Sequence, residues 1–241
     1  RTFSPTGVIK ICNAFSVNPT LYTYTVTGST VEYISSSAGW TMLPFTYHNL
    51  TFSGSGDFTL EGGTINVGGN FVQSAGTLYL GYLDDAILNV TGNMTLGNGI
   101  INSRDAFEAT INVGGDLNII NGGNLLSYSN SSDYVNVTGN TNISGSGSWS
   151  IWSDGSSVAN IGGNLVLSGT SANAIEIDGE STVNVNGNFS QSNTSRLYLA
   201  DGNTSVFNVG GNFTLADTSV FDLNLSSGGN TTVNLKGNLS V

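Results

Sequence analysis

Residues 65–71 read INVGGNF, and the phrase returns as LNVTGNM (88–94), INVGGDL (111–117), VNVTGNT (135–141), ANIGGNL (159–165), VNVNGNF (183–189), FNVGGNF (207–213) and VNLKGNL (233–239). Between the second residues, Asn66, Asn89, Asn112, Asn136, Asn160, Asn184, Asn208 and Asn234, the steps are 23, 23, 24, 24, 24, 24 and 26 residues. A near-constant period of this size marks a solenoid or another repeat array. Inside each phrase an apolar residue, an asparagine and a second apolar residue alternate, as in Ile65-Asn66-Val67. Alternate side chains of a strand point to opposite faces, so Ile65 and Val67 turn inward and Asn66 outward. The glycine that follows suits a corner where the backbone turns sharply or takes positive φ.

A second short strand leaves that corner: Phe71-Val72-Gln73, Met94-Thr95-Leu96, Leu117-Asn118-Ile119, Leu165-Val166-Leu167 and Phe213-Thr214-Leu215. In the fourth copy its first inward residue is Thr141, a weak point in the stack. A third apolar pair closes each repeat, as in Leu78/Leu80, Trp149/Ile151, Ile175/Ile177 and Leu197/Leu199. Three strands and their corners use up about 24 residues, one turn of a three-sided parallel β-helix. The expected fold is therefore all-β: a β-solenoid of about eight turns over 48–241, behind a β-rich N-terminal cap or adjoining module over 1–47. Short strands are expected in that cap at 8–11, 15–17, 21–27 and 30–33, separated by turn signals such as Asn18-Pro19-Thr20.

A second asparagine follows each corner glycine: Asn70, Asn93, Asn140, Asn164, Asn188, Asn212 and Asn238, with Asp116 once. At constant register these side chains stack at one vertex, where each amide can bond to the neighbouring turn and to its own corner backbone. This predicts a buried asparagine ladder. The competing reading is N-glycosylation, because Asn49, Asn89, Asn93, Asn136, Asn188, Asn212 and Asn238 all open Asn-X-Ser/Thr triplets.

Sixteen acidic residues against five basic ones give a net charge of −11. That balance opposes binding to nucleic acid or to an anionic membrane surface, both of which need a positive patch. No apolar run is long enough to span a bilayer as a helix, so no membrane insertion is expected. Cys12 is the single cysteine and is read as a small buried hydrophobe. Arg1 at the start, and a stop just after VNLKGNLSV, read as cuts in a longer polypeptide or as processed termini.

Acidic residues gather where each repeat ends, at a third corner: Asp84, Asp85, Asp105, Asp133, Asp154, Glu176, Asp178, Glu180, Asp201, Asp217 and Asp222. Asp in an Asp-Gly pair accepts hydrogen bonds from its own turn. Matched carboxylates in neighbouring turns could instead share Ca²⁺, which takes several oxygen ligands. Asp154, Asp178 and Asp201 are the calcium candidates, and no other cofactor is implied. Tyr79, Trp152 and Tyr198 alternate with inward residues and face out, as surfaces on which a sugar ring could stack; Tyr82 and Tyr128 lie nearby. An aligned strip would favour binding and a scattered set a stalk. His48 is the only histidine, Arg104-Asp105 with Glu108 reads as a surface ion pair, and no nucleophile–base set or converging carboxylate pair is apparent. Catalysis is not expected.

The runs STVEYISSS (29–37), WTMLPFTYHNLTFSGSGDFTLEGG (40–63) and INVGGNF (65–71) resemble secreted surface proteins of Bacteroidetes, large adhesin-like β-solenoids, many of them type IX secretion substrates and some associated with gliding motility. The resemblance is close over 29–71 and one of repeat style beyond. It implies an extracellular or cell-surface location and a structural or adhesive segment acting as a rigid stalk or fibre element. Its partners would be other segments of the same polypeptide, surface polysaccharide or further copies of itself.

Overall fold

The computed structural model describes residues 7–13, 28–105, 107–129, 132–153, 156–172, 174–177, 179–199, 204–223 and 230–241, with no side-chain detail for 104, 105, 128, 129, 152 and 153. The expected strands at 15–17 and 21–27 fall outside them. All regular structure in the described residues is β-strand, arranged in three parallel sheets.

The chain visits the sheets in fixed order. Phrase strands such as Gly63–Val67, Ala86–Val90 and Ala109–Val113 form sheet 1, of nine strands. The strands leaving the glycine corner, such as Phe71–Gln73, Met94–Leu96 and Leu117–Ile119, form sheet 2, of eleven. Those closing each repeat, such as Thr77–Leu80, Ile100–Asp105 and Asn124–Ser129, form sheet 3, of nine. Every strand except those at the ends of the sheets pairs with its counterparts one repeat before and after, which makes the molecule the expected three-sided parallel β-solenoid. Pairing is in register with the phrase: Asn66 faces Asn89, and Asn89 faces Asn112. At one strand spacing per coil, nine to eleven stacked strands make a rod about 40–50 Å long.

Coiling also reaches below residue 48. Thr30–Tyr33, Trp40–Met42 and Thr46–Tyr47 join sheets 2, 3 and 1 in turn, and Val8–Ile11 pairs beneath Thr30–Tyr33. The stretch read as a cap thus contributes a coil of its own. Its shorter repeat conceals this, since Thr30 pairs with Asn49 only 19 residues on. Cys12, read as buried, is exposed, because Ile11 takes the inward place at the end of that first strand.

Inward residues of all three sheets form one continuous core, with Ile65, Leu88, Phe71, Met94, Leu78 and Leu117 fully buried. Each such side chain contributes roughly 1.5–3 kcal/mol relative to leaving it in water. A lone coil would leave both edges of that core open, so stability comes from the stack. Rings fill the core near both ends: Tyr33 stacks on Phe52 at 5.2 Å, and Phe189 meets Phe213 at 4.6 Å. The coil holding Thr141 is poorly satisfied. The Thr141 hydroxyl and the Trp149 indole N–H are both buried without a hydrogen-bond partner. Two buried glutamines are satisfied at nitrogen and not at oxygen: Gln73 Nε2 donates to the carbonyls of Gly76 and Ile100, and Gln191 Nε2 to those of Ser195 and Val220, while each Oε1 is buried without a partner.

Candidate functional site

The first corner, between sheets 1 and 2, carries the expected ladder. The backbone N–H of Asn93 donates to Oδ1 of Asn70 at 2.9 Å, and the same bond recurs from Asp116 to Asn93, Asn140 to Asp116, Asn164 to Asn140, Asn188 to Asn164, Asn212 to Asn188 and Asn238 to Asn212, at 2.7–3.0 Å. Asn49 forms a lower rung, accepting from Asn70 N–H at 2.9 Å. Most of these residues are exposed along the outer edge of the corner, so the ladder is not the buried seam expected from sequence.

The corner glycine has a different cause from the one anticipated. Among the described residues the positive-φ glycines are Gly28, Gly39, Gly63, Gly76, Gly81, Gly145 and Gly179, none of which follows a phrase strand. A Cβ on Gly92, Gly115, Gly163 or Gly187 would instead lie 2.2–2.6 Å from the ladder oxygen of the coil below. That oxygen occupies the Cβ position, and only glycine lets it reach the next N–H.

A second ladder was not anticipated. The outward asparagines of sheet 1 join amide to amide: Asn89 Nδ2 donates to Asn66 Oδ1 at 2.9 Å, followed by Asn112 to Asn89, Asn136 to Asn112, Asn160 to Asn136, Asn184 to Asn160, Asn208 to Asn184 and Asn234 to Asn208, at 2.7–2.9 Å. The signal was present in the sequence. Eight identical outward residues in parallel register must stack, and an amide is both donor and acceptor.

On the outer face of sheet 3, one column runs Thr41, Thr59, Tyr79, Asn102, Leu126, Ser150, Glu176, Tyr198, Asp222. Tyr79 and Tyr198 share it, separated by four non-aromatic residues. Trp152 faces Tyr128 in another column two residues along. The Arg196 guanidinium lies over the Tyr198 ring, 4.9 Å from its centroid, and pairs with Asp222, which covers one face of that ring. Tyr79 instead borders a shallow recess with Gly39, Asp57, Thr59 and Tyr82.

The acids divide among several tasks. Asp84 Oδ1 accepts from Asp85 N–H within its own turn, and Asp85 Oδ1 accepts from Glu108 N–H one coil on. Asp133 is buried, accepting from the Ser103 hydroxyl and Ala109 N–H. Asp217 belongs to the second corner, between Phe213–Leu215 and Val220–Leu223, and Glu176 and Asp222 sit within sheet 3, so the third-corner grouping was too broad. Asp154, Asp178 and Asp201 lie outside the described residues, as do the side chains of Trp152, Arg104 and Asp105. Among the described residues, no three His, Cys, Asp or Glu side chains come together as a metal site would require. Glu32 is held below the usual glutamate range, first by the Ser53 hydroxyl donating at 2.6 Å and then by Lys10 at 3.2 Å.

Comparison with protein-family models, curated proteins and solved structures found no match to this chain.

Proposed function

We propose that the chain is a stiff spacer segment of a secreted bacterial surface protein, a stalk or fibre element that holds an attachment surface away from the cell. The observation that carries this reading is the pair of ladders, Asn49 to Asn238 along the first corner and Asn66 to Asn234 along sheet 1, which link the successive coils of the stack on two lines. Crosslinks repeated at every strand spacing resist bending and shear, because no coil can shift without breaking bonds on both lines. Such a role needs no reaction centre. Its sequence support is the resemblance to adhesin-like surface proteins.

Two measurements test it. An antibody raised against the chain should label intact, unpermeabilised source cells, and external protease should remove the signal. Pulled between its ends, the chain should yield in steps of about one coil, each releasing roughly 80 Å for some 24 residues at full extension. Labelling only after permeabilisation, or featureless extension at low force, would remove the stalk reading.

A further inference from the structure

Among the described residues, the exposed large hydrophobic side chains of the rod are Val8 in the lowest strand, Val220, Leu223, Leu235, Leu239 and Val241 in the last coil, and, at third corners of the lower coils, Leu43 in one and Tyr82 and Leu83 two coils on. The first two sets lie where the stack stops and its edge has no neighbour. The third lies on the flank and has no such explanation. A chain that buries its apolar residues this consistently and then exposes three on the flank of its lower coils marks that place as a contact surface.

The recess beside it has a definite chemistry. Tyr82 is 45% exposed and Tyr79 half-buried, and between them open Gly39, Thr59 and Asp57. Gly39 has positive φ, and no atom lies within 4 Å of where its Cβ would be, so that side of the recess is clear. Neither the Asp57 carboxylate nor the Thr59 hydroxyl has a hydrogen-bond or ion-pair partner among the described residues. Most other acids of these lower coils are already engaged: Glu32 with Ser53 and Lys10, Glu61 with the Thr41 hydroxyl, and Asp84 and Asp85 with backbone N–H groups. The recess thus combines aromatic surface with an uncommitted carboxylate and hydroxyl.

We infer that this recess binds a pyranose ring of an uncharged glycan. A sugar ring offers an apolar face to an aromatic side chain and hydroxyl donors around its rim, which a carboxylate accepts strongly. Anionic sugars are disfavoured, because Asp57 lines the recess and Glu61, Asp84 and Asp85 lie on the adjoining turns, with Glu61 directly following the strand Asp57–Leu60. The site requires only the lower coils and does not depend on the spacer reading; a failure here leaves the labelling and pulling tests untouched.

The probe is a panel of uncharged hexans (a glucan, a mannan and a galactan) alongside polygalacturonate and alginate, applied to the whole chain at moderate salt. At least one neutral polymer should bind and both polyuronates should not. Tyr82→Ala and Asp57→Asn should each weaken that binding about tenfold with melting temperature moved by less than about 3 °C. Tyr198→Ala should leave binding unchanged. Silence across the neutral polymers, preference for the polyuronates, or binding indifferent to both Tyr82→Ala and Asp57→Asn overturns the proposal.

Discussion

The first and third corners of each coil solve the same geometric problem in opposite ways. At the first corner, between sheets 1 and 2, every repeat uses a glycine and then an asparagine or aspartate, and the backbone N–H of each coil donates to the side chain below, from Asn70 up to Asn238. At the third corner, between sheets 3 and 1, length and composition vary. Gly81 to Asp85 make a loop whose Leu83 and Asp84 N–H groups both donate to the Glu61 carbonyl, whereas Asp133 is drawn inside to meet Ser103. A corner whose side chains serve the stack is confined to one sequence. A corner whose bonds come from different groups in different coils is free to vary, and it is at this corner that Leu43, Tyr82 and Leu83 are exposed.

The sharpest way to break the contrast is to place a side chain where the first corner excludes one. In Gly163→Val the new Cβ falls 2.6 Å from Asn140 Oδ1 and 2.8 Å from the Gly139 carbonyl. Relief requires moving a rung or the backbone, and a loss of about 3 kcal/mol or more in urea unfolding is expected. A loss below about 1 kcal/mol would mean that the glycine serves only local chain flexibility.

Removing a rung should hurt less. Asn164→Leu deletes the acceptor for Asn188 N–H, now at 2.8 Å, and should destabilise the rod by about 1 kcal/mol. Asn160→Leu breaks the outer row, where Asn160 accepts from Asn184 Nδ2, and about half that loss is expected because water can replace one amide with little rearrangement. Equal losses at the two positions would show that the ladders are equivalent and that the corner has no special standing.

Much of this architecture is legible in the sequence because period and alternation are physical instructions. The eightfold phrase specifies coil length, and Ile65-Asn66-Val67 specifies which side of sheet 1 is core. Stacking asparagines after the glycine follow from constant register. What escapes is whatever depends on distances between coils. The collision that excludes a Cβ from Gly163 appears only once Asn140 Oδ1 is placed, and nothing in the residue itself separates it from a positive-φ glycine. Asn49 escapes as a rung because its step to Asn70 is 21 residues, outside the period of the phrase. The recess beside Tyr82 escapes for the same reason: Gly39, Asp57 and Tyr79 come from three successive passes of the chain with unequal spacing. Of the outward aromatic residues read from alternation, Tyr79 lines that recess, and the ring of Tyr198 has the Arg196 guanidinium over one face.

The smallest effect is also the most discriminating. Asp85 makes the kind of bond that Asn164 makes, its Oδ1 accepting from the backbone N–H of a residue one coil on, Glu108, at 3.1 Å. If that bond alone accounted for the first corner, Asp85→Ala and Asn164→Leu would cost alike. They should not. The Asn164 oxygen sits in the space a Cβ of Gly187 would occupy, packed against backbone, and is one rung of a continuous series. Asp85 is exposed, its partner carries a side chain, and water can reach the vacated N–H of Glu108. Asp85→Ala is therefore expected to change stability by no more than about 0.5 kcal/mol, and a loss matching that of Asn164→Leu would place the strength of the ladder in the individual bond and not in its packing over glycine.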